Sequence, residues 1–119
     1  MRIITHGTTE HTIVKAIDDR GVGNGNHKYS IEKSATSSRP VVLQEVLFQH
    51  GPVKENAING IFNEDLLVIV IDRLEGFQSG DYNCRENAIA KTKIEEALMW
   101  LRKRTDDRKR RGVEGTSQK

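Results

Sequence analysis

The chain has 119 residues, 35% of them hydrophobic and 30% charged, which suits one soluble domain with a modest core. No stretch approaches the ~20 apolar residues of a membrane span, and a single cysteine, Cys84, allows no internal disulfide, so a membrane protein, a disulfide-rich secreted protein and a zinc-finger module are excluded. The formal charge of +2 is uneven, because 102–111 (Arg-Lys-Arg-Thr-Asp-Asp-Arg-Lys-Arg-Arg) carries +5 and leaves the remainder at −3.

The opening Met1-Arg2-Ile3-Ile4-Thr5-His6 turns polar too soon for a secretory signal, and the single cysteine suits a reducing cytoplasm. Residues 1–50 read as β-structure. The stretch 11–17 (His-Thr-Ile-Val-Lys-Ala-Ile) is rich in β-branched residues, and 27–32 (His-Lys-Tyr-Ser-Ile-Glu) alternates polar and apolar. Between them, Gly21-Val22-Gly23-Asn24-Gly25-Asn26 supplies the positive φ of a turn, so the two form a hairpin. A connector follows at 34–40, then a third extended segment at 41–48, read as an edge or interface strand. Residues 51–62 show no period and read as an ordered loop.

The segment 63–78 reads as the first helix. Leu66, Val70, Leu74 and Phe77 recur at helical spacing with Leu67 and Ile71 beside them, Asn63 is placed to cap, and Glu64 and Asp65 suit the first turn. A second helix is expected from a cap at Asn83, with Glu86 closing a capping box, and a stripe of Ala90, Ile94, Ala97, Leu98 and Leu101. It ends at Gly112, leaving a tail at 113–119. The expected fold is α+β: a small N-terminal antiparallel β-sheet followed by a C-terminal hairpin of two α-helices (63–112), in a single domain spanning 1–119.

Candidate chemistry is sparse. His6, His11, His27 and His50 fall at no metal-ligand spacing, so no metal site is expected. Cys84 lacks a local base and reads as a small buried side chain in a turn. The adjacent pairs Glu64-Asp65, Glu95-Glu96 and Asp106-Asp107 diverge by about 100° on a helix and form no acid–base couple. No catalytic residue and no cofactor is expected. The basic helix end is more informative. Asp106 is placed to pair with Arg110, and Asp107 with Lys103, Arg104 or Arg111, whereas Arg108 has no acid within helical reach. Arg104, Arg108 and Arg111 stack on one face, an arrangement that fits phosphate oxygens, with Trp100 one turn before Arg104. A solubilising helix end, with basic side chains complementing the dipole, would look the same.

The string itself carries more. Phe48-Gln49-x-Gly51-Pro52-Val53-Lys54-Glu55-Asn56, Asn59-Gly60, Asn63-Glu64-Asp65-Leu66-Leu67, Asp72-Arg73-Leu74, Phe77-Gln78-Ser79-Gly80, Cys84-Arg85-Glu86-Asn87-Ala88, Glu95-Glu96-Ala97-Leu98-Met99-Trp100-Leu101, Arg104-Thr105 and Arg111-Gly112-Val113-Glu114-Gly115-Thr116 resemble the phage Thoeris anti-defence sponge family, related to the anti-CBASS cyclic-oligonucleotide sponges. The resemblance covers roughly 46–116, and a β-rich first part is similar to the Thoeris-inhibitor branch. It implies a non-catalytic phage inhibitor of bacterial immunity. Such a protein sequesters the glycocyclic ADP-ribose isomers made by TIR-domain sensors, in the cytoplasm of the infected host. Some members also hold cyclic di- or trinucleotides at separate sites. The family's ligand contacts fall on Phe77, Asn87, Arg104 and Arg108. Ala57 departs from the pattern, standing where the family's Glu-Asn-Gly has glycine.

Helical geometry adds a constraint. Asn87 and Arg104 lie 17 residues apart on one helix, about 25 Å at ~1.5 Å per residue, too far for one small nucleotide to span. Phe77 and Asn87 must then meet Arg104 and Arg108 of a second copy, in an antiparallel homodimer with two interfacial pockets; the resemblance implies a trimer of dimers as a further assembly. The principal alternative is a small basic nucleic-acid-binding protein, disfavoured by one short basic patch and 5% aromatics. A structural subunit pairing through 41–48 is a third reading, and a hydrolase the weakest.

Overall fold

The computed structural model describes residues 1–5, 10–34 and 39–119. It confirms the α+β expectation: four strands, then helices. The chain divides into two compact units, Met1–Ile61 and Phe62–Lys119.

The first unit is a four-stranded antiparallel sheet in sequential order, β1 (Arg2–Ile4), β2 (Thr12–Ala16), β3 (Lys28–Lys33) and β4 (Val42–Leu47). The predicted hairpin is β2–β3, paired from Thr12 opposite Lys33 to Ala16 opposite Tyr29. Its connection turns through Val22–Asn24, where Gly23 and Asn24 take φ +72° and +65°. Asp18 closes that connection: its carboxylate accepts the His27 N–H at 2.9 Å and the Asn26 amide at 3.2 Å. The third extended segment is β4, an edge strand bulged between its pairings with Ile31 and Glu32. The connector 34–40 lies partly outside the described residues. Strand β1 was not distinguished in the sequence, because three residues are too few to display alternation.

The interior of this sheet is partly polar. Glu32, 6% exposed, receives the Lys15 ammonium at 3.0 Å and the Ser30 hydroxyl at 3.1 Å. The hydrogen bond from Lys15 holds the Glu32 carboxyl below its ordinary value of 4.5, against the upward push of desolvation and with help from Ser30. A depressed carboxyl stabilises the fold above its ordinary pKa, and that contribution is lost as pH falls from about 4.5 through the lowered value. Resistance to urea is therefore expected to fall from about pH 6 to about pH 3, and to fall less in Glu32→Gln. An identical pH slope in the variant would remove Glu32 from the balance. Asp18, held below its usual 3.8 mainly by the His27 N–H, accounts for part of the remaining slope.

The loop after β4 is built from the motif residues 48–60. The Gln49 amide donates to the carbonyls of Gly51 and Ala57, and its oxygen accepts the Asn59 N–H at 2.9 Å. Asn59 returns with two bonds to the His50 backbone at 2.8 Å. Inside this clasp sits α1 (Val53–Asn56), one turn missed in the sequence because tertiary bonds rather than periodicity hold it. Ala57, following it, is forced to φ +59°, ψ −179°, a conformation costing an L-residue on the order of 1–2 kcal/mol. This explains why glycine suits the position. Ala57→Gly is expected to raise stability by about 1 kcal/mol, the relief of strain exceeding the added unfolded-state entropy. A lowered denaturant midpoint would contradict the strain.

The second unit is a helical hairpin, α2 (Asn63–Gln78) and α3 (Arg85–Arg110). The first helix occupies the expected span, but both predicted caps are displaced. Asn63 is already helical. The cap position is Phe62, whose N–H donates to the Asp65 carboxylate at 2.8 Å, so the acid two residues inside the helix sets its start. Helix α3 is capped by Cys84 rather than Asn83, and its Sγ accepts the Asn87 N–H at 3.4 Å without a capping box from Glu86. Cys84 is therefore an exposed cap rather than a buried turn residue.

The apolar stripes are also rotated relative to expectation. Leu98 is the one buried hydrophobic residue of the hairpin, with Ile94 and Leu101 half-buried, whereas Ala90, Ala97 and Val70 are exposed. Lys91 reaches Glu75 at 3.6 Å and so covers part of the seam between the helices. Two helices offer one seam only, which leaves Val68, Ile69, Val70, Ile89, Met99 and Trp100 open on the outside.

Candidate functional site

The four expected site residues fall into two groups at opposite ends of α3. At the hairpin's turn, Phe77 is half-buried in the last turn of α2. The Arg73 guanidinium sits 4.9 Å from its ring centroid, and Tyr82 meets it edge-on at 5.9 Å. The turn is locked by Gln78, whose amide donates to the Cys84 carbonyl at 3.1 Å and accepts its N–H at 3.0 Å. Asn87 lies in the first turn of α3, and its side-chain amide donates to the Tyr82 carbonyl at 3.4 Å. An aromatic ring and an amide oxygen are thus presented together. Arg73 and Tyr82 were not singled out in the sequence. The aromatic in the polar stretch Asp81-Tyr82-Asn83 was the signal that could have pointed to Tyr82, which is 74% exposed.

Near the C-terminal end of α3, Arg104 and Arg108 line an open groove of 680 Å³ with Trp100, Lys103, Arg111 and Lys119. Five basic side chains there face one carboxylate, Asp107. That carboxylate is already engaged by Lys103 at 2.9 Å and by Arg110. Arg110 had been assigned to Asp106; spacing by three rather than four residues selects Asp107 instead. The Arg104 side chain has no hydrogen bond or ion pair among the described residues. Arg108 is differently placed: its Nη2 donates to the carbonyls of Val113 and Thr116, both at 3.1 Å. The neighbouring groove, 710 Å³, mixes Glu95 and Asp106 with Arg102, Lys103 and Arg110 over Ile71 and Leu98. Its charges nearly balance, so the arginine groove is the better anion site.

Helix α3 runs unbroken between the two groups, so the ~25 Å of helical rise separating Asn87 from Arg104 stands. Within one chain Phe77 and Asn87 share Tyr82 as a neighbour and Arg104 and Arg108 share one groove, and the structure does not bring the two pairs together. Among the described residues no three His, Cys, Asp or Glu side chains converge as a metal site, and no helix is long and apolar enough to cross a membrane.

The chain, a four-stranded sheet followed by a basic helical hairpin, belongs to the Acb2/Tad1 hairpin-domain family. The family model described as "Acb2/Tad1, hairpin domain" matches residues 41–106, from the start of β4 into the basic end of α3. Among individual proteins the chain is similar to "Thoeris anti-defense 1" of Bacillus phage SBSphiJ7, with 52% identity over 99 residues, 83% of this chain. The matched region spans 66% of that relative, just under two thirds of its length. The family expected from the motif string is thus the family found.

Proposed function

We propose that this protein is a phage inhibitor of Thoeris immunity that binds a cyclic ADP-ribose isomer and holds it uncleaved in the host cytoplasm. The observation that carries the reading is the arginine groove: Arg104 and Arg108 one turn apart, among five basic side chains that the single lining side-chain carboxylate, Asp107, offsets only in part. A diphosphate supplies the missing anion, and guanidinium forks match its oxygens. The name of the similar SBSphiJ7 protein supports the same reading.

Phe77 stacks on the adenine, Asn87 bonds base or ribose, and the arginines neutralise the diphosphate. The pocket forms between two copies, Phe77 and Asn87 from one and Arg104 and Arg108 from the other. The apolar residues left open on the hairpin, Ile69 and Trp100 among them, favour such self-association. A trimer of dimers and separate cyclic di- or trinucleotide sites extend the proposal. Binding alone suffices for the role. A sponge must outcompete its receptor, which requires nanomolar affinity, about −12 kcal/mol.

Titration calorimetry with glycocyclic ADP-ribose tests this, followed by denaturation of the complex and chromatography of what is released. Tight binding with intact ligand recovered is the expected result. Degraded ligand would identify an enzyme, and no heat at micromolar concentrations would overturn the assignment of this ligand. Binding of duplex DNA with steep salt dependence would favour the nucleic-acid reading instead.

A further inference from the structure

We infer that the C-terminal segment 113–116 is a strap that fixes the Arg108 guanidinium for its ligand, and that Thr116 is the positioning residue of that strap. The inference rests on the sponge reading for the identity of the ligand, but its structural part stands apart from it.

The strap begins where α3 ends. Gly112 takes φ +74°, the Val113 N–H returns to the Arg108 carbonyl at 3.0 Å, and the Gly112 N–H returns to that of Lys109 at 3.1 Å. This pair of bonds is the Schellman pattern, which turns the chain back along the helix it has just left. A second left-handed glycine, Gly115 at φ +77°, bends it again. Thr116 then closes a small ring, with both its N–H and its hydroxyl donating to the Val113 carbonyl. Its hydroxyl oxygen accepts the Gln118 N–H at 3.3 Å. The result is that two carbonyls, of Val113 and Thr116, converge on one nitrogen of Arg108.

A guanidinium has five N–H donors in a rigid plane. Fixing Nη2 at two points fixes that plane and leaves Nη1 and Nε as separate, single donors, one of which can bond an anion oxygen. Residues 113–116 are all half-buried, unlike 117–119, so the strap is packed as well as bonded. Arg104, one turn earlier, has no such support. The two arginines thus differ in kind: Arg108 is held by two internal bonds, and Arg104 by none among the described residues. Pre-organisation raises affinity because the rotamer entropy is already spent before binding.

The test uses the full chain, Thr116→Val, Thr116→Ser and a variant ending at Gly112. The first readout needs no ligand: the NMR exchange rate of the Arg108 Nη protons, slow in a guanidinium held by two carbonyls and fast in a free one. The second is the affinity for glycocyclic ADP-ribose by calorimetry. Slow rotation in the wild type is expected, lost in Thr116→Val and in the shortened variant and regained in Thr116→Ser. Affinity is expected to fall about tenfold in the shortened variant, several-fold in Thr116→Val, and to recover in Thr116→Ser. Fast rotation in a wild type that binds tightly would overturn the strap and leave the sponge reading intact. Slow rotation in the wild type, lost in the variants with affinity unchanged, would overturn the positioning role. A held guanidinium in a wild type that binds nothing would overturn the sponge reading and the positioning role together.

Discussion

Phe77→Ala and Arg104→Ala are each expected to bind glycocyclic ADP-ribose weakly, while an equimolar mixture of the two, unfolded and refolded together, recovers tight binding in about a quarter of its pockets. The loss follows from the contacts. Removing one charge-assisted partner of a phosphate costs about 1.5–3 kcal/mol, roughly ten- to 150-fold in affinity. Removing the aromatic platform costs about 1–3 kcal/mol. The recovery follows from symmetry. In a two-fold dimer with Phe77 and Asn87 from one copy facing Arg104 and Arg108 of the other, a mixed dimer has one pocket carrying both substitutions and one carrying neither. Random pairing makes about half of all dimers mixed, hence about a quarter of pockets intact. Calorimetric stoichiometry reads this number directly. No recovery in a mixture that demonstrably forms mixed dimers would mean that each pocket draws on one chain only. The unbroken α3 would then have to bind its ligand at one end.

Arg108→Ala is a poorer choice for this experiment. Helical spacing offers Arg108 no acidic partner. The structure shows its side chain bonded to Val113 and Thr116, so the substitution also releases the tail. Arg104, without an internal partner, isolates the ligand contact.

The largest effect on stability is expected from Gly60→Ala. A Cβ at Gly60 would lie 2.5 Å from the Phe48 carbonyl carbon and oxygen and 2.7 Å from the Gln49 nitrogen. Those atoms are backbone and cannot swing aside. They are held in a parallel bridge, with the Gln49 N–H donating to Ile61 and the Ile61 N–H to Leu47, both at 2.8 Å. Relief would require breaking that bridge, at a cost of about 3 kcal/mol and a fall in Tm of more than roughly 10 °C. Gly76→Ala is the matching control. It lies within α2 with nothing within 4 Å of the added carbon, so it should be neutral or stabilising by up to about 1 kcal/mol. Equal Tm values for the two variants would show that the loop at Gly60 yields easily.

The motif string through which the family was legible therefore has two physical sources. Gln49, Asn59 and Gly60 shape a loop, Asp65 and Cys84 start helices, and Gln78 locks a turn. Their role is local geometry. The Arg104 side chain, which lines the basic groove without an internal partner among the described residues, has no such role in local geometry.

What the sequence by itself determined was whatever depends on neighbours along the chain. The span of α2 follows from apolar residues three and four apart, the β2–β3 hairpin from a glycine–asparagine turn between β-branched runs, and the end of α3 from Gly112. The basic groove followed from charge on one helical face. The tertiary structure alone decided the remainder. Strand β1 exists because β2 offers it a partner, and α1 exists because Gln49 and Asn59 clasp the loop around it. Which apolar stripe of α3 turns inward depended on where α2 lies, and so Leu98 was buried while Ala90 and Ala97 were not. The role of the tail was hidden for the same reason. Thr116 is eight residues from Arg108, beyond any helical spacing, and only the double reversal at Gly112 and Gly115 brings its carbonyl to the guanidinium. Periodicity reports contacts one turn away; contacts made by chain reversal leave no period to read.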